Sequence, residues 1–523
     1  MSGCIEWTEN IILLSDSYKV SHWKQYPAGT EYVYSYFESR GSDNVGWDSV
    51  CFFGLQYFMK RYLLGQVVTK EKIDEAAEIY AEHFGDGVTP NPGMFYREGW
   101  DYILAKHGGV LPIEIKAVPE GMVIPNKTVL FTMVNTDPKC FWLTNFLETL
   151  LVQVWYPMTV CSNSRFQKIS IAKYLEATGL TDWAAPNGTA FKLHDFGYRG
   201  VSSVESAAIG GCAHLVNFLG TDTVAAMICA SRYYGATKAA GGSVPASEHS
   251  TITSWGVDGE CAAMKNMLEQ YPTGIVACVS DSFDLFRACK DYWGTELKDL
   301  IKGRISGEKF GRLVVRPDSG DPAEICTQVI KILLEQFKED VTVTSTGHKM
   351  LPPYIRVLQG DGVDWEAIPH ILQTLMDNGI AADNIGFGSG GALLQKLNRD
   401  TFKCAFKCAD IIINGKSREV FKDPITDKGK ASKKGRLTLQ LVEGSTFSEA
   451  DKYKPRDATN PEPGGTGFLH YSADGKYVTI ASGKGDPAKD IMVDVFRNGV
   501  LLKDYTLEDI RKRADIPKGP FSN

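Results

Sequence analysis

The sequence of 523 residues lacks three features that would direct it to a membrane or to nucleic acid. No apolar run reaches the roughly 18 residues that a membrane-spanning helix needs. The amino terminus has no basic segment of the kind that opens a secretory signal peptide. Positive charge is not in surplus, because 56 basic and 63 acidic residues give a net charge of −7. We therefore expect a cytoplasmic protein that binds neither membranes nor nucleic acid.

The 12 cysteines do not form a metal-binding pattern. No Cys-x-x-Cys pair occurs, and Cys404 and Cys408 have no second pair or nearby histidine to complete a zinc site. The chain also contains no Walker A sequence and no His-Glu-x-x-His motif. We expect free thiols in a reducing compartment, no structural metal and no side chain that acts as a dedicated metal ligand.

What the sequence does contain is an alternation of short apolar segments with helix-like stretches between Phe191 and Leu397. Alternation at a spacing of roughly 30–40 residues predicts a parallel sheet with crossover helices, closed into an irregular (β/α) barrel. The flanking parts contain alternating, strand-like stretches typical of an antiparallel sheet. We expect an α/β protein with a barrel at 161–400 and a sheet-rich α+β domain formed by 1–160 and 401–523.

Polar, glycine-containing turns follow the predicted barrel strands. Active sites of α/β barrels are built from the turns after the strands, so these turns predict the functional site. The segments that end in such turns are Phe191–Gly200, Gly242–His249, Ile275–Asp284, Leu313–Gly320, Tyr354–Asp361 and Ile385–Gly391.

Each of these turns has a structural and a functional interpretation. Arg316 and Asp318 could grip a phosphate and a ribose hydroxyl or Mg²⁺, or could form a salt bridge across a tight turn. His249 could be structural, an acid–base group or a nucleophile. Asp222 and Asp281 could each cap a helix instead of binding a ligand.

The glycines at 386, 388 and 391 formally match the dinucleotide-binding fingerprint. No acidic residue ends the next predicted strand, which closes with Asn414 and Gly415, so the sequence favours a phosphate loop over a dinucleotide site. Taken together, the strand ends offer arginines, carboxylates, histidines and this loop. They predict a phosphorylated sugar substrate that binds with Mg²⁺, and leave the acceptor open.

The predicted turns and the flanking segments contain a set of short motifs: Asp16-Ser-Tyr-Lys, His194-Asp-Phe-Gly-Tyr-Arg, Gly220-Thr-Asp-Thr, Glu248-His-Ser, Ser280-Asp-Ser, Arg316-Pro-Asp-Ser-Gly, Gln359-Gly-Asp-Gly and Gly388-Ser-Gly-Gly. In combination, these motifs resemble those of the nicotinamide phosphoribosyltransferase family, one of the type II phosphoribosyltransferases. The resemblance runs from Ile11 to about Arg436, whereas the loop-rich region 444–490 matches less well.

The resemblance implies a pentosyltransferase that joins nicotinamide to 5-phosphoribosyl 1-pyrophosphate in NAD salvage, giving nicotinamide mononucleotide and pyrophosphate. It implies Mg²⁺, ATP as a co-substrate, and a homodimer with active sites at the subunit interface. His249 would be phosphorylated by ATP beside Asp281, and Asp318 would complete the catalytic group.

The resemblance also implies a set of substrate-binding residues. Phe196, with Tyr18 of a second subunit, would sandwich the pyridine ring, and Asp222 would accept a hydrogen bond from the carboxamide. Further binding residues for product, ribose and phosphate groups would be Asp16, Arg199, Ala246, Arg316, Gly360, Asp361, Gly390, Gly391, Arg399 and Lys407.

Two small departures from the family pattern, Ser247 and Ala405, lie near these motifs and concern affinity more than reaction type. A nicotinate phosphoribosyltransferase is the nearest alternative, and Asp222 speaks against it because a carboxylate repels a carboxylate substrate. A barrel glycoside hydrolase would not need the glycine loop. A non-catalytic binding or signalling protein would bind ligand without turnover.

Overall fold

The structure is a computed structural model, and it describes residues 10–183, 188–305, 310–426, 431–442, 468–472 and 474–517. The chain divides into two compact units. The first comprises Met1–Ser162, Arg232–Gly235 and Asn398–Ala514, and the second comprises Asn163–Ser231, Ala236–Leu397 and Asp515–Asn523.

The strands of the described residues are numbered along the chain. They are β1 (Thr30–Glu38), β2 (Ser49–Cys51), β3 (Ile113–Ala117), β4 (Val123–Pro125), β5 (Val129–Asn135), β6 (Leu193–Asp195), β7 (Gly220–Thr221), β8 (Gly274–Val279), β9 (Gly311–Arg316), β10 (Thr342–Val343), β11 (Lys349–Met350), β12 (Ile355–Gln359), β13 (Ile385–Ser389), β14 (Ala405–Ile413), β15 (Lys416–Glu419), β16 (Thr438–Leu441), β17 (Leu469–Tyr471), β18 (Tyr477–Ile480), β19 (Val493–Arg497) and β20 (Val500–Leu501).

The α-helices are numbered in the same way. They are α1 (Leu55–Phe58), α2 (Lys70–His83), α3 (Arg97–His107), α4 (Leu143–Phe146), α5 (Glu148–Val152), α6 (Trp155–Ala177), α7 (Val204–His214), α8 (Val224–Tyr234), α9 (His249–Thr253), α10 (Glu260–Gln270), α11 (Leu285–Arg287), α12 (Lys298–Lys302), α13 (Pro322–Gln336), α14 (Ala367–Asp377), α15 (Gly391–Leu394) and α16 (Leu507–Ala514). Among the shorter 3₁₀ turns are Ser17–Lys24, Tyr198–Gly200 and Arg399–Thr401.

The first unit is built on an antiparallel sheet in the order β15-β14-β1-β5-β3-β19-β20. Its centre, β1, is the aromatic run from Thr30 to Glu38, and six consecutive residues at its end are buried. Aromatic and β-branched residues favour strands because they pack well on a pleated surface. The sheet confirms the expected antiparallel, sheet-rich region, to which both the amino-terminal and the carboxy-terminal parts of the chain contribute strands.

The second unit is built on a parallel sheet in the order β7-β6-β13-β12-β9-β8. Helices α7, α8, α10, α13 and α14 lie between its strands in sequence, as crossover connections require. Its strands are almost fully buried apolar segments: Leu313, Val314 and Val315 of β9 and Val276 to Val279 of β8 are at most 9% exposed. This arrangement confirms the expected α/β fold.

The segment 242–246 joins the two edges of this parallel sheet. Gly242 forms a parallel bridge with Gly220 at one edge, and Ala246 forms one with Ala277 at the other. The segment was expected to be a strand, but Pro245 has no N–H to donate, and here it only accepts a hydrogen bond from the amide of Ala277 at 2.9 Å. The parallel sheet is therefore linked edge to edge, as an irregular barrel requires.

One helix differs from what the sequence predicts. The apolar stretch Trp142 to Trp155 contains no Gly or Pro and is typical of a single helix, but it forms α4 and α5, and the long α6 starts at Trp155. Pro157 lies in the first turn of α6, where its missing N–H is tolerated, so the helix begins there. No helix among the described residues is long and apolar enough to cross a membrane.

Candidate active site

A cavity of about 570 Å³ lies within the second unit. It extends from the carboxyl ends of the parallel strands, at Phe196 and Arg316, to their beginnings, at Ile275, Arg312 and Ile385. Carboxyl ends of parallel strands meet at one edge of a sheet, so side chains far apart in sequence converge there. Of the sequence-predicted residues, the cavity is lined by Phe196, Arg199, Asp222, Ala246 and Arg316.

The ring of Phe196 lies in a space that exists because Gly388, on the neighbouring strand β13, has no side chain. The backbone of Gly388 on β13 lies so close to the ring that an added Cβ would come within 1.9 Å of it. The amide of Phe196 donates to the carbonyl of Ser389 at 2.9 Å, which fixes the backbone beside the same strand. The guanidinium of Arg316 lies 5.6 Å from the centre of the ring, so one face of the aromatic platform borders a cation.

Arg316 ends β9 and grips Asp318 with two hydrogen bonds. Its Nε and Nη2 atoms donate to the two carboxylate oxygens at 3.0 and 2.9 Å. Gly360 makes room for this fork, because a Cβ there would lie 2.9 Å from Nε of Arg316. Asp361 follows with an exposed side chain. The structural and functional interpretations of this turn are thus compatible, since the salt bridge orients a guanidinium at the mouth of the cavity.

His249 is the first residue of α9, and it contacts the carboxylate of Asp281, which is held by two further hydrogen bonds. Its Nε2 atom lies 2.9 Å from Oδ1 of Asp281, and its side chain is 48% exposed, whereas that of Asp281 is 3% exposed. The other oxygen, Oδ2, accepts from the hydroxyl of Ser319 at 2.6 Å and from the amide of Asp318 at 3.1 Å. Burial alone would raise the pKa of Asp281, but the hydrogen bonds from Ser319, His249 and the Asp318 amide hold it below its usual value.

Asp222 follows β7 and faces the cavity. Its Oδ1 atom accepts a short hydrogen bond from the hydroxyl of Ser243. His194 lines the same wall, and burial lowers the pKa of its imidazole while Asp222 opposes that shift. A carboxylate held by one oxygen and facing a cavity beside an aromatic ring suits a ligand with an N–H donor.

The loop Gly197–Gly200 packs backbone to backbone against Gly390 and Gly391. A Cβ on Gly200 would lie 3.0 Å from the Cα of Gly391, and one on Gly197 would lie 2.9 Å from the carbonyl oxygen of Gly390. The glycine loop after β13 therefore lies against the segment that carries the exposed Arg199. Such a contact places main-chain N–H groups and a guanidinium on one surface.

Four of the predicted residues belong to the first unit. Asp16 accepts from the hydroxyl of Thr149 at 2.7 Å, and Tyr18 is 58% exposed with an edge contact to His22. Arg399 lies in a 3₁₀ turn next to Asp400, and its side chain is 58% exposed. Lys407 is on β14 opposite Tyr36, and burial lowers the pKa of its ammonium group.

Ser247 and Ala405, the two positions that depart from the family pattern, each contact a β-strand. Ser247 is buried, and its hydroxyl accepts from the amide of Val279 on β8 at 2.9 Å. It therefore ties the segment before His249 to the strand before Asp281. Ala405 begins β14 and pairs with Glu38 of β1. The region 444–490, which matched the family less well, lies largely outside the described residues, although it includes β17 and β18.

One group of described residues could geometrically hold a metal, namely His107, Asp137 and Cys140, whose ligand atoms lie within 4.8 Å of one another. Hydrogen bonding already accounts for this group. The Asp137 carboxylate accepts from the amide of Lys139 and the hydroxyl of Tyr102, and it contacts the ring of His107 at 2.9 Å. The cluster belongs to the first unit and has no part in the cavity.

Sequence reasoning placed Gly388 in the glycine loop and Ser319 in the Arg-Pro-Asp-Ser-Gly motif, but it did not predict the contacts that these two residues and Ser243 make. Each acts on a residue far away in the sequence: Gly388 on Phe196, Ser243 on Asp222 and Ser319 on Asp281. The available signals were the glycine pattern at Gly388 and the position of the two serines close to predicted strands.

Comparisons with known proteins identify the family of this chain. Residues 191–463 match the Nicotinate phosphoribosyltransferase (NAPRTase) family, and residues 10–115 match the Nicotinamide phosphoribosyltransferase, N-terminal domain. A protein of Xanthomonas campestris named nicotinamide phosphoribosyltransferase is 44% identical, with 98% of this chain and 100% of the relative covered. One of Acinetobacter baylyi with the same name is 32% identical, with 95% of each chain covered.

Among solved structures, human nicotinic acid phosphoribosyltransferase is similar with a TM-score of 0.55, at 15% identity and with 96% of this chain and 93% of that chain covered. At this identity the likeness concerns the fold. The sequence matches extend over nearly the whole chain. The chain therefore belongs to the nicotinate phosphoribosyltransferase family, groups within it with the nicotinamide phosphoribosyltransferases, and is a pentosyltransferase.

Proposed function

We propose that this enzyme joins nicotinamide to 5-phosphoribosyl 1-pyrophosphate and releases nicotinamide mononucleotide and pyrophosphate. The observation that carries the proposal is the cavity at the strand ends, where the ring of Phe196, the carboxylate of Asp222 and the guanidinium of Arg316 line one space. An aromatic face suits a pyridine ring, a carboxylate suits a carboxamide N–H, and a guanidinium suits a phosphate.

Nicotinamide stacks on Phe196 and donates its carboxamide N–H to the free oxygen of Asp222. Tyr18 of a second subunit covers the other face of the ring, so the working unit is a homodimer with its sites at the subunit interface. The 58% exposure of Tyr18 supports this role, because a large apolar ring gains most from burial when a partner covers it. Aromatic pairing of this kind contributes about 0.5–1.5 kcal/mol beyond the area buried.

The phosphorylated sugar binds at the open end of the cavity. Arg199, Arg316 and the amides of Gly390 and Gly391 hold phosphate groups, while Asp318, Gly360 and Asp361 lie beside the ribose. The contact between the Gly197–Gly200 loop and the glycine pair supports this assignment. The remaining binding residues are Asp16 and Ala246, together with Arg399 and Lys407, which would reach the 5′-phosphate from the second subunit.

The reaction needs no proton transfer. The lone pair of the ring nitrogen forms a bond to C1′ of the ribose, and the bond from C1′ to the pyrophosphate oxygen breaks with its electrons leaving on pyrophosphate. Positive charge develops on the sugar and then on the pyridine ring, and negative charge develops on the leaving group. Arg199 and Arg316 stabilise that negative charge, and Phe196 holds the ring nitrogen in line with the bond that breaks.

The donor set around the ribose fits Mg²⁺ bound together with the substrate. Magnesium is usually held by one or two carboxylates, water and substrate phosphates. Asp361 offers an exposed carboxylate, whereas those of Asp318 and Asp281 are already engaged by Arg316 and by His249 with Ser319. Asp361 would hold the ion against the pyrophosphate, where it would supply charge neutralisation of the leaving group.

We propose that ATP phosphorylates His249 and that hydrolysis of this phosphohistidine is coupled to synthesis. The imidazole is exposed, and its Nε2 atom is held by Asp281, so Nδ1 is the nitrogen that attacks the γ-phosphorus of ATP while ADP leaves. The carboxylate partner would stabilise the positive charge that the ring gains. The protein would work in the cytoplasm, and the eleven cysteines of the described residues, which form no disulfide with one another, support a reducing compartment.

A paired assay tests the function. Purified enzyme with the pyrophosphate donor and Mg²⁺ is given nicotinamide or nicotinate, with and without ATP. We expect mononucleotide from nicotinamide, faster with ATP, and little from nicotinate. An Asp222→Ser variant should lose its preference for the amide, while Asp258→Ser, an exposed position after α9, should behave as wild type. Equal or faster use of nicotinate by the wild type would overturn the assignment.

A further inference from the structure

The hydroxyl of Ser247 takes the place of a main-chain acceptor at the end of β8. The segment before it pairs with β8 as a parallel strand would. The amide of Ala277 donates to the carbonyl of Pro245 at 2.9 Å, and the amide of Ser247 donates to the carbonyl of Ala277 at 3.0 Å. In a regular parallel ladder the next amide, that of Val279, would donate to the main-chain carbonyl of Ser247. It donates instead to the Oγ atom of Ser247, at 2.9 Å.

Because a side-chain oxygen replaces the carbonyl, the main chain can leave the sheet directly after Ser247. Glu248 is extended and forms the N-cap of α9, and His249 is the first residue of that helix. The Ser247 side chain is packed against β8, since it is 5% exposed and its hydroxyl lies 3.6 Å from the Sγ atom of Cys278. The position of the His249 imidazole therefore depends on where Ser247 is held.

Asp281, the carboxylate partner of the imidazole, follows β8 with one residue between them. That residue, Ser280, is fully buried, and its amide donates to the carbonyl of Arg316 on β9 at 2.9 Å. The end of β8 is thus bonded to β9 on one side and to Ser247 on the other. The contact of 2.9 Å between His249 and Asp281 closes a loop of hydrogen bonds in which the Ser247 hydroxyl is one link.

We propose that Ser247 is a positioning residue for phosphoryl transfer from ATP to His249, and the inference rests on the proposed phosphohistidine. Its hydroxyl holds the start of α9 against the end of β8, so that the imidazole meets Asp281 and leaves Nδ1 free for attack. Without the hydroxyl, the amide of Val279 would be left unpaired or would take its acceptor from the main chain, which would shift the segment that leads to His249. Because Ser247 is buried, it acts through His249 and not by contact with a substrate.

The test measures two rates in wild type and in Ser247→Ala. One is the single-turnover transfer of label from γ-labelled ATP to the protein, and the other is synthesis of mononucleotide without ATP. We expect the transfer rate to fall about 10-fold, because a displacement of about 1 Å can cost roughly 100-fold and a smaller one is expected here. KM for ATP and synthesis without ATP should not change. Ser247→Thr keeps the hydroxyl, so its ratio of the two rates should stay that of the wild type.

Ser162→Ala is the matched control. The hydroxyl of Ser162 also accepts from a buried main-chain amide, that of Cys51 at 2.9 Å, but both residues belong to the first unit. Each alanine variant should lower Tm, since each removes the acceptor of a buried amide. Only Ser247→Ala should lower the ratio of transfer to ATP-independent synthesis, and this ratio is unaffected by a loss of folded enzyme.

Three results with the alanine variants would overturn the inference: unchanged transfer in Ser247→Ala, equal loss of both of its rates, or the same loss of transfer in Ser162→Ala. A lower ratio in Ser247→Thr would overturn it as well, and this variant decides the question if Ser247→Ala does not fold. A wild type that takes up no label would instead overturn the proposed phosphohistidine.

Discussion

The Nε2 atom of His249 lies 2.9 Å from Oδ1 of Asp281, and the two side chains differ sharply in exposure. The carboxylate is fixed from behind by the hydroxyl of Ser319 and the amide of Asp318. An exposed imidazole is thus oriented by a buried anion, with its Nδ1 side directed away from that anion. This arrangement suits a histidine that accepts a group from a second substrate.

His249→Ala should abolish the effect of ATP on the reaction. We expect the ratio of rates with and without ATP to become about one, while synthesis without ATP continues, because nicotinamide attack needs no proton transfer. Asp281→Asn should reduce the ratio as well, since an amide stabilises a positive imidazole less than a carboxylate does. Steady-state rates and radiolabel transfer from γ-labelled ATP measure both variants. Label retained on His249→Ala would contradict the assignment.

Gly388→Ala should damage nicotinamide binding more than binding of the sugar substrate. The added methyl group would lie 1.9 Å from the Phe196 ring, so the platform must move. Displacement of a positioning group by about 1 Å can reduce rates roughly 100-fold, and we expect a loss of that order in kcat/KM for nicotinamide. Gly93→Ala, at an exposed position of the first unit where the nearest atom to the added methyl group is 3.4 Å away, is the control. Equal losses in both variants would argue against the platform.

Arg316→Lys should weaken binding of the phosphorylated sugar although the charge is kept. Lysine cannot reproduce the two hydrogen bonds to Asp318 at 3.0 and 2.9 Å, so both groups lose their orientation. Loss of a charge-assisted fork predicts a reduction of about 10-fold or more in kcat/KM for the sugar substrate. Arg287→Lys, at an exposed pair with Asp291, should leave the kinetics unchanged. An equal loss of kcat/KM in Arg287→Lys would contradict a specific role for Arg316.

Asp195→Asn should stabilise the protein at neutral pH. The pKa of Asp195 is about 6 when folded against an ordinary value of 3.8, so the folded state keeps a proton that the unfolded chain has lost. Stability therefore falls as pH rises from about 4 to about 6, by roughly 3 kcal/mol in total. The difference in Tm between variant and wild type should be larger at pH 7.5 than at pH 5. A difference in Tm that is the same at pH 7.5 and at pH 5 would show that the charge of Asp195 does not affect stability.

The sequence was informative wherever an apolar segment ran into a polar turn. Parallel strands bring their carboxyl ends to one edge, so Phe196, Arg316 and His249 could be assigned to a common site before the structure was known. The family resemblance assigned the residues their roles. The α/β fold and the family are confirmed, whereas the roles of individual residues stay predictions.

Other features depend on side-chain direction and close packing, which periodicity does not report. Nothing in the sequence around Gly388 indicates that its missing side chain admits Phe196, some 190 residues earlier by the sequence numbering. The break between α4 and α5 was missed for a related reason, because an uninterrupted apolar stretch is compatible with one helix or two. Proline at 245 could have warned against a regular strand there.

The close approach of Gly388 to Phe196 has a consequence for how this enzyme could change its substrate. The thickness of the aromatic slot is determined by one absent carbon atom on a neighbouring strand. A bulkier side chain in place of Phe196 would therefore not fit, because it would contact the main chain of β13. To accept a substrate base of a different shape, the enzyme would first need a change in the backbone of β13, and only then could Phe196 be replaced.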